Sequence, residues 1–254
     1  MKCGCKDSES EKITNYEVPQ MTYHMRYFFI SAGFLFLLGC NANDGWVNLF
    51  NGENLDGWHV YGGGQDYNGW DVQSGVLVFD PAKRTTPRNS SLMTDEQYTN
   101  FELSMDWMIG KNGNSGLFWS VVEDEKYEQP WLTGPEIQIV DDGWTEYIEE
   151  RGDINRAGSL YGMLPPSEIV SKPSGEWNSY LLRIDHKSNQ GYLIFNDVRV
   201  VEFPVNGPEW KEMVAKSGFA DWDGFGTSQK GHICLQDYGG KVAFRNIKIR
   251  ALPQ

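Results

Sequence analysis

In "TGPEIQIVDDGW", residues 133–144, carboxylates and an amide interrupt a run that otherwise reads as a buried strand. Side chains alternate faces along a strand, so Ile137 and Ile139 point one way while Glu136 and Gln138 point the other. The isoleucines take the core, which leaves the polar pair on the opposite, cleft-facing or solvent-facing side. The same parity sets Ser104 and Asp106 opposite Met105 and Trp107, and Cys234, Gln236 and Tyr238 opposite Leu235. If these strands are neighbours, Glu136, Gln138, Asp106 and Gln236 converge on one sheet face. The plain alternative is the solvated outer face of an antiparallel sheet. A carboxylate in an aromatic cleft gains proton affinity and acts as general base or acid near neutral pH.

Other chemistries find less support. "EIQIVD" resembles the E-x-D-x-x-E signature of retaining glycosidases on jelly rolls, whose two carboxylates stand about 5 Å apart. Here Gln138 occupies the middle position, and an amide does not carry a proton between charge states. His24, His59, His186 and His232 are isolated, without H-x-H or H-E-x-x-H spacing, which disfavours a transition-metal site. The acidic loops at 141–143 and 221–224 offer oxygens to calcium but lack the calcium-loop spacing, so they read as solvated turn acids and no cofactor is expected. Nucleophilic-serine and nucleotide-binding glycine patterns are missing.

The elements that must position these residues are mostly strands. With 28 Gly among 13 Phe, 12 Tyr and 10 Trp, the 254-residue chain suits many short strands joined by tight turns, and its rings suit stacking on a sugar. Strand patterning covers 70–79, 101–109, 115–122, 135–141, 179–186, 191–197, 198–203, 232–238 and 241–250. Asn196-Asp197 reads as a two-residue hairpin turn, and Gly239-Gly240 as another. Only 207–217 has helical spacing. Nine strands and one short helix imply an all-β, antiparallel jelly-roll β-sandwich whose bent strands leave a concave face for a ligand. Excess acid, 35 Asp+Glu against 22 Lys+Arg, argues against nucleic acid as a partner.

The first 45 residues differ in kind. Residues 1–24 read as an extension upstream of the true start, without structure of its own. Residues 25–40 read as a signal peptide: Arg26 precedes the apolar run "YFFISAGFLFLL", which is too short to span a bilayer. The run closes on "LLGC", and Gly39-Cys40 resembles a bacterial lipobox, which would acylate Cys40 and anchor the exported chain in the cell envelope. Residues 41–45 form a tether, and one domain follows over 46–254. Its only cysteine, Cys234, reads as a small buried hydrophobe with no disulfide partner.

From Trp46 to Leu252 the chain resembles the 3-keto-disaccharide hydrolase domain family. The resemblance rests on the order of "LFNGENLDGWHVY", "FELSMDW", "GNSGLFW", "TGPEIQIVDD", "AGSLYGM", "GEWNSYLLRI", "FND", "GFGTSQKGHICLQDYG" and "VAFRNIKI". It implies a concanavalin- or laminin-G-like jelly roll, often an exported lipoprotein, that cleaves sugars already oxidised at C3 by a separate oxidoreductase. The ketone acidifies the C2 proton; a base removes it, the C1 substituent is expelled, and water adds to the enone. On that reading Glu136 is the base and Asp106 a second acid/base. Gln138, Asn114 and Gln236 supply hydrogen bonds, while Trp119, Tyr161 and Tyr238 wall the sugar. Two positions depart from the family: Trp119 replaces a frequent Arg or His, and "LQDYG" puts Tyr238 where His is usual. The competing readings are a non-catalytic carbohydrate-binding lipoprotein on the same scaffold and an ordinary retaining glycosidase.

Overall fold

The computed structural model describes residues 45–63, 66–88 and 90–253. The signal-type run, Cys40 and the upstream extension lie outside them. In chain order the strands are β1 Trp46–Asn48, β2 Trp58–Val60, β3 Trp70–Gln73, β4 Val76–Phe79, β5 Leu92–Tyr98, β6 Phe101–Ile109 and β7 Asn114–Val121. They continue with β8 Glu136–Val140, β9 Asn178–Asp185, β10 Gln190–Phe195, β11 Val198–Phe203, β12 Gly231–Leu235 and β13 Val242–Ala251. Two helices accompany them, α1 Thr145–Arg151 and α2 Gly207–Ala215.

All pairings are antiparallel, and they form two sheets. The larger, of eight strands, runs β11-β10-β9-β6-β13-β4-β3 with β1 also on β13; the smaller, of five, runs β2-β5-β12-β7-β8. This is the expected jelly-roll sandwich. Alternate residues of both sheets meet between them: Leu103, Met105 and Trp107 of β6 share one core with Ile137 and Ile139 of β8 and Ile233 and Leu235 of β12. At its centre Trp107, Tyr180 and Phe195 pack with ring centroids 4.7–5.7 Å apart. Burying each such ring contributes about 1.5–3 kcal/mol, so the sandwich is held mainly by its interior. A smaller cluster of Tyr61, Met93, Phe118, Val121 and Cys234 lies on the outer face of the five-stranded sheet.

Local differences from expectation have local causes. The single strand expected over 70–79 is the hairpin β3–β4, because Ser74 and Gly75 both adopt left-handed φ (52° and 81°) and make a twist-compatible turn. Asn196 and Asp197 (φ 46° and 69°) form the expected turn in the same way. Gly239-Gly240 does not close a hairpin: it joins β12 to β13, which belong to different sheets. The short β1 and β2, and β5 with its polar "TDEQ", carry little apolar alternation of their own; their pairing partners make them strands. Helix α2 lies where helical spacing is read. Helix α1 was not expected, and it proves central to the site.

Candidate active site

The floor of the site is the outer face of the five-stranded sheet, where β7 pairs with β8. Phe118 stands opposite Glu136 and Gly116 opposite Gln138, while Gln236 donates its N–H to the Gly116 carbonyl (3.0 Å). Cross-strand partners share a face, so Asn114, Phe118, Glu136, Gln138 and Gln236 all line one pocket of about 280 Å³. Gly116 makes room for its acid. A Cβ there would lie 1.8 Å from Glu136 Oε1, so any side chain at 116 competes with the carboxylate for the same space.

The free edge of β8 is covered by residues 158–161. The Gln138 N–H donates to the Ser159 carbonyl (3.1 Å), the Gly158 N–H to the Gln138 carbonyl (2.9 Å), and the Tyr161 N–H to the Glu136 carbonyl (3.0 Å). That register sets Tyr161 beside Glu136. Beyond β8, the Asp141 carboxylate accepts the N–H groups of Asn112 (2.9 Å) and Gly143 (3.0 Å) and turns the chain into α1. The helix is anchored by buried Ile148, and Trp144 stacks on Tyr147 at 5.0 Å. Tyr147 and Arg151 thereby reach the pocket. The remaining wall is aromatic: Phe219 stacks on Phe225 at 4.2 Å, Trp222 meets Phe219 edge-on at 5.1 Å, and Trp131 closes one side. Gly226 holds this wall to the sheet through its N–H bond to the Thr133 carbonyl (2.8 Å). Its φ of +61° and the Trp210 ring 2.5 Å from a would-be Cβ require glycine.

Glu136 is the electrostatic anomaly. It is 8% exposed, its carboxylate has no hydrogen bond or ion pair among the described residues, and burial pushes its proton affinity well above the ordinary carboxylate range. Around it stand polar groups that are tied to one another. Gln138 Nε2 donates to the Tyr147 hydroxyl at 3.0 Å and Asn114 Nδ2 reaches the same oxygen at 3.5 Å. The Tyr147 and Tyr161 phenols are neighbours, close enough to shift each other's proton affinity. Burial raises both phenols, the negative charge of Glu136 adds to the shift, and nearby Arg151 opposes it.

The neighbouring acids have structural duties. Asp142 accepts from the Ala157 N–H (3.2 Å) and the Ser171 hydroxyl and is raised chiefly by burial. Asp237 takes Arg84, the Ser90 N–H (2.6 Å), the Ser90 hydroxyl (2.8 Å) and the Ser91 hydroxyl (2.9 Å), pinning the segment that carries Gln236 and Tyr238. The loop acids 141 and 142 are therefore not the solvated turn acids expected: they close the turn out of β8. Asp223 pairs with Lys126 at the surface.

Glu136, Gln138, Asn114, Tyr161, Gln236 and Tyr238 meet in the pocket as expected, with Tyr238, 63% exposed, at its rim. Two residues do not. Asp106 lies on β6 in the other sheet, on that sheet's outer side, where Arg245 Nε (3.1 Å) and Asn246 Nδ2 (2.7 Å) hold it. Parity is right for Asp106, but its strand does not neighbour β8. Trp119 faces the interior and stacks on Phe203 of the opposite sheet at 5.6 Å, because the pocket-facing positions of β7 are 114, 116 and 118. The sequence reading missed Tyr147, Arg151, Trp131, Phe219, Trp222 and Phe225. For the first two a signal existed: "TEYIEER" has Glu146 in its first turn, Arg151 in its last and Gly152 behind it. The others sit in segments with no period to read.

Residues 45–250 match the family model described as "3-keto-alpha-glucoside-1,2-lyase-like domain". A "3-keto-disaccharide hydrolase" of Bacteroides thetaiotaomicron is 28% identical over 233 residues, which are 82% of this chain and 79% of that protein. Two crystal structures from Parabacteroides distasonis, each described as a "putative glycosyl hydrolase", are also similar. One is 33% identical with a TM-score of 0.72 over 82% of this chain and 94% of its own. The other is 27% identical with a TM-score of 0.62 over 82% and 99%.

Proposed function

The chain belongs to the family of 3-keto-α-glucoside-1,2-lyase-like domains and is a glycosidic-bond hydrolase; from that premise we propose that it cleaves 3-keto-glycosides or 3-keto-disaccharides by elimination followed by addition of water. One observation carries the reading: a buried carboxylate without a partner faces an aromatic pocket in which, among the described residues, it is the only acid. Double displacement at an unoxidised glycoside calls for two carboxylates flanking the bond. Elimination next to a ketone calls for one base. A binding module gains nothing from an unpaired buried acid, which costs stability and seats no sugar.

Glu136 takes the C2 proton of the keto sugar, the electron pair enters the C2–C3 enolate, and its return breaks C1–O1 and forms C1=C2. The departing oxygen takes up the proton that Glu136 holds. Water then adds to C1 and a proton returns to C2, so the sum is hydrolysis. The raised proton affinity of Glu136 brings it closer to that of the acidified C2–H, which favours proton transfer. Asn114 and Gln236 offer amides to sugar hydroxyls. Trp131, Phe219, Trp222 and Phe225 seat its apolar face and exclude water.

The test is turnover of a 3-keto-glucoside beside its unoxidised parent, in wild type and Glu136→Gln. Turnover of the keto sugar alone, reduced about 10³-fold or more in the variant, supports the reading; equal turnover of the parent overturns it. Since the base must be ionised, kcat/KM should fall on acidification at a pH above the usual carboxylate range. The substrate has to come from an oxidoreductase acting at C3 of a glycoside. We also propose export and lipid anchoring through Cys40. If so, Cys40→Ala moves the protein from the membrane to the soluble fraction; an unchanged membrane fraction would refute the anchor.

A further inference from the structure

We propose that Tyr161 is a catalytic residue whose hydroxyl donates a hydrogen bond to the C3 oxygen of the keto sugar while Glu136 takes the C2 proton, and that Tyr147 is the residue that positions it. The inference rests on the elimination reading of the same pocket. It begins with register. The 3.0 Å bond from the Tyr161 N–H to the Glu136 carbonyl and the neighbouring Ile137–Leu160 bridge make residues 136 and 161 cross-strand partners, and both side chains line the pocket. Base and donor thus stand side by side, as adjacent substrate atoms C2 and C3 require.

The hydrogen-bond order sets the direction of each proton. The Ile139 N–H donates to Gln138 Oε1 at 3.2 Å, which turns Gln138 Nε2 toward Tyr147 at 3.0 Å. Asn114 Nδ2 offers a second proton to the same hydroxyl at 3.5 Å. With amide protons on its oxygen, Tyr147 keeps its own proton to offer, and the neighbouring Tyr161 phenol, close enough for the two groups to shift each other, is the acceptor we assign to it. With Tyr161 as acceptor, its own proton is left for the pocket it lines. Arg151, over the Tyr147 ring at 6.0 Å, adds positive charge behind the pair.

The chemistry needs such a donor. When Glu136 takes the C2 proton, its negative charge is transferred to O3, inside a pocket where, among the described residues, Arg151 is the only other side chain that carries a formal charge. A preorganised hydroxyl aimed at that oxygen stabilises the transition state more than the ground state. Both phenols are held above their ordinary range, so Tyr161 stays protonated and acts as a hydrogen-bond donor, not a base.

Exchange of the C2 proton of 1,5-anhydro-3-keto-glucitol in D2O, followed by NMR, reads enolisation alone, because this compound has no glycosidic leaving group. Hydrolysis of methyl 3-keto-glucoside reads the whole reaction. Wild type should do both; if it does neither, the elimination reading itself fails. Given that it does both, Tyr161→Phe should lose about 10²-fold in exchange and in kcat with KM within about threefold. Exchange within about threefold of wild type overturns the proposal and leaves the elimination reading standing. So does exchange retained with hydrolysis lost, which would place Tyr161 at the leaving group. Should Tyr161→Phe fail to fold, Tyr147→Phe decides, since it leaves the Tyr161 hydroxyl in place: exchange slowed about tenfold with KM unchanged supports the relay, and unchanged exchange overturns it.

Discussion

The two sheets each carry carboxylates at alternating strand positions on their outer faces, and they treat them oppositely. On the larger sheet Glu102, 6% exposed, is bracketed by Arg183 (3.0 Å) and Arg250 (3.1 Å), and Arg183 also takes Asp185 at 2.9 Å. Asp106 is likewise held by Arg245 and Asn246. On the smaller sheet Glu136, 8% exposed, has no such partner. Burial is nearly the same, so burial alone does not distinguish a structural acid from a reactive one. Pairing does: neighbours on the larger sheet bring guanidinium and amide donors to the carboxylate oxygens, while around Glu136 they supply rings, an amide and the missing Cβ of Gly116.

That contrast can be broken from either side. After the loss of turnover expected for Glu136→Gln, the largest effect should come from Gly116→Ala, whose new methyl claims the place of the Glu136 carboxylate. Displacing the base by about an ångström should cost on the order of 10²-fold in kcat, and steady-state kinetics within about threefold of wild type would deny Gly116 its role. Next comes Glu102→Ala, which leaves the partly exposed Arg250 without its carboxylate and Arg183 with Asp185 alone. Urea unfolding should show a loss of about 1–2 kcal/mol, discounted for solvent screening, with turnover unchanged.

A smaller effect of opposite sign is expected at Glu136. Its folded-state proton affinity is raised above the unfolded value, so the folded state binds the extra proton between the two pKa values. Stability from this group is full below the unfolded value near 4.5 and declines as pH rises toward the folded one. Glu136→Gln should therefore stabilise the protein at pH 7 and change its stability hardly at all at pH 4. Thermal melts showing equal or reversed shifts would contradict an unpaired buried acid. The smallest effect belongs to Asp106→Asn, expected to leave kcat within about twofold because Asp106 is on the wrong sheet. A loss of 10²-fold would return it to the site.

Some of this was readable in the chain. Parity along "PEIQIVD" placed Glu136 and Gln138 correctly because side-chain alternation is a property of a single strand and needs no partner. The same rule set Gln236 and Tyr238 on the face opposite Leu235 and located the isoleucines in the core. It failed for Trp119 only through a wrong choice of face: β7 alternates as it should, but its indole fills the core. Tyr147 and Arg151 were overlooked although "TEYIEER" carries helix-end signals, since seven residues give too short a period to stand out among strands.

Local alternation, turn chemistry and composition thus decide the class of fold, the turn at Asn196-Asp197, and which side of each strand is polar, because each depends on neighbours within a few residues. Which strands lie side by side depends on hydrogen bonds between segments far apart in the chain, and no local pattern records them. Tertiary structure therefore sent Asp106 to an ion pair on one sheet and left Glu136 bare on the other. It also folded Phe219, Trp222, Phe225 and the α1 tyrosine over that acid. Long-range packing converted a strand of ordinary alternation into a pocket with a base.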